Sequence, residues 1–150
     1  MNSPANLPWE LRAYIYARFA ESALPPSVHE TARHFMISLE EAGRLYRELH
    51  ERHAIFLEPG TLEIRMANPF SGVPTDFRVH VEGKTYFANC AWDMLGIPAA
   101  LHREAVIEAA CAESGEPIPL EVRGGEVRAG EARIHFLLPF ARWYEDITFT

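Results

Sequence analysis

The stretch Tyr86–Gly96, YFANCAWDMLG, places a thiol and a carboxyl group three residues apart, at Cys90 and Asp93. The residues before it alternate like a strand, and those after it have the apolar spacing of a helix. With Asn89 as the N-cap, Cys90 and Asp93 are expected in the first helical turn, where residues three apart share a face. A helix N-terminus carries partial positive charge and free N–H groups, which favour thiolate over thiol. Thiolates attack electrophiles and bind soft metals. A carboxylate beside the sulfur can hold and release a proton. The pair suits a reaction in which sulfur takes a soft centre while a proton passes to the leaving group. Cys-x-x-Asp also has a plainer reading: a packed cysteine and an acidic residue facing the helix dipole.

The whole chain narrows the setting. Its 150 residues suffice for one ordinary domain or two small modules, and 48% hydrophobic with 23% charged residues describe a folded globular chain. A formal net charge of −7 argues against a general nucleic-acid binder and against docking on anionic lipid. The N-terminus lacks the basic-then-apolar pattern of a signal peptide, and no apolar run is long enough to cross a bilayer. A cytoplasmic location is therefore expected. Two cysteines do not make a disulfide framework, and both are expected as free thiols in a reducing compartment.

The elements that would position the pair define an α+β chain. Residues 1–67 are expected to form a three-helix, winged-helix-like module. Pro8 opens a helix over Trp9–Ala23 with Leu11, Ile15, Phe19 and Leu24 along its apolar stripe. Ser27 caps Val28–Phe35. Ser38 and Glu41 fit a capping box for a helix running to about His53 and burying Leu39, Ala42, Leu45, Tyr46 and Leu49. Two apolar runs around Pro59-Gly60 predict a hairpin. Residues 68–75 read as a linker. Residues 76–150 read as a core of antiparallel strands and helices. Its strands are expected around Phe77–Val81, Thr85–Ala88, Ile118–Val122, Val127, Ile134–Leu138 and Ile147–Thr150. Helices are expected from Asn89, interrupted or ended at Ile97-Pro98, and over Arg103–Glu113, with Cys111 midway along the second.

From Phe77 onward the sequence resembles the alkylmercury (organomercurial) lyases. The resemblance is carried by YFANCAWDMLGIPAAL, then CAESGEPIPLEV, then IHFLLP. It implies that Cys90 binds the mercury of an R–Hg⁺ substrate as thiolate and that Asp93 transfers the proton with which carbon leaves as R–H. Both become candidate ligands of the substrate or product mercury, and Cys111 becomes structural. It implies no organic cofactor, with cellular thiols or a mercury-handling protein accepting the product. The family's second catalytic cysteine, closing strand and last helical segment would fall just after Thr150. One thiolate with one carboxylate is expected to bind organomercury better than it cleaves it. The alternative is therefore a non-catalytic organomercury or soft-metal binder, or a winged-helix sensor.

Other features have bland explanations beside their functional ones. His50 and His53 share a helix face, and His29 and His34 form a second pair. Neither pair has a third metal ligand near it in sequence, and a histidine near a helix C-terminus suits the dipole. The third helix sets Arg44, Arg47 and Arg52 against Glu40, Glu41, Glu48 and Glu51, a pattern of surface pairing such as Glu48 with Arg52 rather than of phosphate contact. Packing of this module over the core is the role this leaves. Trp92, Trp143 and Tyr144 are candidates to line an apolar pocket for an organic group, and core packing accounts for them equally.

Overall fold

The computed structural model describes residues 6–136 and 138–145. The chain divides into two compact units, Met1–Pro74 and Thr75–Thr150.

In the first unit, helices α1 (Leu7–Ser22), α2 (Val28–Phe35) and α3 (Leu39–Glu51) precede a small antiparallel sheet. Its strands are β1 (Phe56–Leu57), β2 (Ile64–Ala67) and β3 (Phe70–Ser71), in the order β1-β2-β3. The third strand corrects the expected linker at residues 68–75: Phe70 is buried and stacks on Phe19 of α1, ring centroids 5.1 Å apart. Leu11, Ile15, Phe19, Leu45 and Leu49 are fully buried, whereas Leu24 and Leu39, expected inside, are exposed.

The helix caps show how local chemistry is diverted. The reciprocal capping box forms at Ser27, whose N–H donates to Glu30 (2.8 Å) while the Glu30 N–H donates to Ser27 Oγ (3.2 Å). At Ser38 only half of a box forms, the Glu41 N–H donating to Ser38 Oγ at 3.1 Å. Arg44 takes the Glu41 carboxylate instead, through contacts of 2.8 and 2.9 Å, and holds its pKa below the usual value. Glu48 accepts from both Arg44 and Arg52, so α3 spends these charges on itself.

The second unit is a five-stranded antiparallel sheet in the order β5-β4-β6-β7-β8, with one helix, α4 (Ala91–Leu101), packed on β4 and β6. Its strands are β4 (Arg78–Val81), β5 (Lys84–Phe87), β6 (Ala105–Ala110), β7 (Pro117–Arg123) and β8 (Glu126–Arg128). Two-residue turns join β4 to β5 and β7 to β8. Gly124 and Gly125 both have positive φ, 59° and 81°, as the mirror-image turn of a twisted hairpin requires. Val79, Val81, Tyr86, Ala105, Ile107 and Val122 are buried, as are Met94, Ile97 and Pro98 of α4.

Three expectations fail here. The helix over Arg103–Glu113 is instead strand β6. Its alanines and glutamates favour helix in isolation, but Ala105 and Ile107 alternate into the core and the backbone pairs with β4 on one side and β7 on the other. Helix α4 runs through Pro98. The proline sits in the last turn, where its missing N–H affects a single bond, and its ring is fully buried. Residues 134–136 are not in a strand. The strand expected at Ile147–Thr150 lies outside the described residues.

Tyr46 offers a direct test of the first unit. Its hydroxyl donates to the Pro26 carbonyl at 3.1 Å, so the 2.8 Å contact with Thr31 must have the Thr31 hydroxyl as donor. Tyr46→Phe leaves both groups buried without that partner and is expected to cost about 1–3 kcal/mol in chemical denaturation. Burial raises the Tyr46 pKa from the ordinary 10.0 to about 12, with the Thr31 hydrogen bond opposing. A value raised by folding gives a contribution that is complete below the unfolded value and lost as the pH rises through the folded one. The gap between parent and variant should therefore narrow from pH 10 to pH 12.

Candidate active site

Helix α4 begins one residue later than the sequence suggests, and this changes the chemistry. Cys90, not Asn89, is the N-cap, with extended backbone angles of −154° and 178°. Asp93 is therefore the third helical residue, and the two side chains meet as the partners of a capping box do. The Cys90 thiol hydrogen-bonds to the Asp93 carboxylate. Asn89 Nδ2 donates to Asp93 Oδ2 at 3.0 Å. The base of the site is held by Thr75, whose hydroxyl donates to the Ala88 carbonyl at 2.7 Å, while the Ala88 N–H donates to the Phe77 carbonyl at 2.9 Å.

The expected thiolate does not follow. Burial pushes the Cys90 thiol pKa up; the Asp93 backbone N–H opposes this, the Asp93 charge reinforces it, and the Trp92 N–H opposes it more weakly. The N–H groups favour the thiolate electrostatically without closing a full side-chain cap on the sulfur. Burial also raises Asp93, against hydrogen bonds from Asn89 and Cys90. Burial therefore disfavours charge on both groups.

Cys111 lies just beyond β6, in the turn to β7, where its carbonyl accepts from the Gly115 N–H at 2.8 Å. The expected mid-helix position is thus corrected. Its thiol pKa is lowered, first by the Ser114 side-chain hydrogen bond and then by the Ser114 and Glu113 N–H groups. Glu108 is level with Arg78, and Arg78 with Phe87, so both cysteines lie past the same end of the sheet with β4 between their strands.

Trp92, which lies between Cys90 and Asp93 in the chain, lines an open cleft of about 490 Å³ with Phe136, Leu138, Pro139 and Trp143. Phe136 lies 6.2 Å from the Trp92 ring and 5.3 Å from Trp143, centroid to centroid. Trp143, on a 3-10 helix (Phe140–Glu145), is anchored by its indole N–H on the Leu138 carbonyl at 3.0 Å. Trp92 and Trp143 were candidates from the sequence. Phe136 and Leu138 were hidden in an expected strand, and only tertiary structure joins them to the cleft. Tyr144 is exposed and does not line it.

The histidines are placed elsewhere. His50 Nδ1 accepts from the Leu57 N–H at 3.3 Å, and the His50 and His53 rings lie against Phe56. His34 stacks on Tyr14 at 4.0 Å. No group of three or more histidine, cysteine or acidic side chains is arranged to hold a metal ion among the described residues. No helix among them is long and apolar enough to cross a membrane.

Fold and site together define an α+β protein with a desolvated thiol–carboxyl pair at a helix N-terminus. A family model described as "MerB: Alkylmercury lyase" matches residues 70–148, just over half of the sequence, and the chain belongs to the alkylmercury lyase family. Alkylmercury lyases of Bacillus cereus and Clostridium butyricum are each 44% identical to it over 50 residues, 33% of this chain and 23% of theirs. The match thus spans under a quarter of the length of these curated relatives. The crystal structure of the mercury-bound form of MerB2 is similar with a TM-score of 0.64 at 26% identity, covering 83% of this chain and 59% of that one.

The opposite environments of the two thiols predict opposite reactivities. Iodoacetamide at pH 7, followed by peptide mass spectrometry, should alkylate Cys111 faster than Cys90; equal or reversed rates would contradict the desolvation of Cys90. Asn89→Ala removes a donor that favours the Asp93 carboxylate. The Asp93 carboxyl should then titrate higher than in the parent when followed by carbon NMR.

Proposed function

We propose that this chain captures an organomercury cation at Cys90 and protonates its carbon through Asp93, acting as a carbon–mercury lyase. The juxtaposition of the Cys90 thiol and the Asp93 carboxyl group at the N-terminus of α4, both desolvated, supports this reading. When R–Hg⁺ bonds to sulfur, the thiol proton passes to the Asp93 carboxylate, whose raised pKa suits it to accept. The Asp93 carboxyl then donates that proton to the carbon. The carbon–mercury bond breaks, its electron pair forms the new C–H bond, and Hg²⁺ stays on the Cys90 thiolate with the Asp93 carboxylate beside it. The carbanionic leaving group thereby receives a proton supplied by the pair itself, without an organic cofactor. Cellular thiols or a mercury-handling protein then remove the metal.

A second reading is a non-catalytic organomercury or soft-metal binder. It is favoured by the placement of sulfur: the pair contains one thiol, while Cys111 is engaged by Ser114. A single thiolate holds the metal without a second sulfur to weaken the carbon–mercury bond.

One experiment separates the two. Purified protein is incubated with an arylmercury compound and excess thiol, and released arene is measured against a thiol-only control. Lyase activity predicts release that falls at least about a hundredfold in Cys90→Ser and in Asp93→Asn, the usual scale for losing a nucleophile or proton donor. One retained equivalent that depends on Cys90, with no arene above control, would instead establish the binder. Retention unchanged in Cys90→Ser would overturn both.

A further inference from the structure

Phe19, Tyr46, Phe56, Phe70 and Tyr86 are buried, but three rings around the cleft leave apolar surface open. Trp92 is 56% exposed and Phe136 40% exposed, and with Trp143 they form walls of the open cleft. Large apolar groups left together in a concave surface are unfavourable in water and become favourable when a ligand covers them. The walls are fixed before any ligand arrives: Trp143 is tied to the Leu138 carbonyl, and Arg142 holds Glu145 at 2.9 Å on the same 3-10 turn. Trp92 follows Cys90 by two residues, so their Cα atoms are at most about 7.6 Å apart. A metal held by the sulfur would carry its organic substituent across a comparable distance.

We propose that Trp92, Phe136 and Trp143 are specificity-determining residues that select organomercurials with a planar aromatic substituent over methylmercury. The inference rests on the capture of R–Hg⁺ at Cys90. A phenyl ring on mercury meets ring walls suited to offset or edge-to-face packing. A methyl group leaves most of the cleft wet. The described residues that line the cleft carry no charged side chain, which suits an apolar substituent.

The test is a competition in the Cys111→Ser background, which leaves Cys90 as the sole thiol. Equal phenylmercury and methylmercury compete for the protein in excess glutathione, and the two adducts are counted by native mass spectrometry. The phenyl-to-methyl ratio on Cys90 should exceed that on glutathione by about tenfold, the scale of burying part of one ring. Trp92→Ala and Trp143→Ala should bring it towards the glutathione ratio. Trp92→Phe and Trp143→Phe, which keep a ring, should retain most of the preference, separating loss of the wall from loss of the fold. A parent ratio equal to that of glutathione, with Cys90 still loaded, would overturn the specificity assignment and leave capture standing. Adducts that persist in Cys90→Ser would overturn the capture reading itself.

Discussion

Desolvation of the Cys90–Asp93 pair is the constraint on which the proposed chemistry depends. The dipole and N–H groups at the start of α4 favour charge on the sulfur, but such effects are worth roughly 0.3–1 kcal/mol at exposed helix ends and up to ~2 kcal/mol when partly buried. Taking an ion out of water costs several kcal/mol. Burial therefore wins for both groups, and their pKa values move upward together. A site built this way does not rest as an activated thiolate awaiting any electrophile. It sets a thiol and a carboxyl group, each disfavoured as an ion by burial, within reach of one another.

The rest of the second unit exists to hold that geometry. The N-terminus of α4 is pinned by the register of β4 with β5, by Thr75 on the Ala88 carbonyl and by Asn89 on Asp93. Its body is pressed onto β4 and β6 through Met94, Ile97 and Pro98. Strand β6 also sets the contrast between the two cysteines. Its end delivers Cys111 into a turn whose hydrogen-bond donors favour the thiolate that burial denies to Cys90. Of the two sulfurs, the one whose pKa is lowered is away from the Asp93 carboxyl group.

The first unit obeys a different economy of interactions. Its core is held by apolar burial and by the buried Thr31–Tyr46–Pro26 hydrogen bonds. The charges of α3 pair along the helix, Arg44 with Glu41 and Glu48, and Arg52 with Glu48. Those arginines already have carboxylate partners, and a polyanion would have to displace them. The charged face of α3 is in this respect a self-paired surface.

Helix positions governed by local signals were legible without coordinates. The capping serines, Ser27 and Ser38, bound α2 and α3 because capping is settled within one helical turn. The turn at Gly124-Gly125 follows from glycines that tolerate positive φ, whereas the turn between β4 and β5 falls at Glu82-Gly83, one residue before the Gly83-Lys84 that the sequence suggests. The proximity of Cys90 and Asp93 was legible too, since Cys-x-x-Asp at a strand–helix junction needs only chain order to bring sulfur and carboxyl together. Tertiary structure decided the remainder. Strand β6 overrides its own helix propensity because β4 and β7 offer it hydrogen-bond partners on both edges, which no window of its sequence contains. Phe136 and Leu138 join Trp92 across more than forty residues to make the cleft. The electrostatics of the pair are likewise a property of depth: residue spacing set thiol and carboxyl side by side, and burial in the folded chain raises both pKa values.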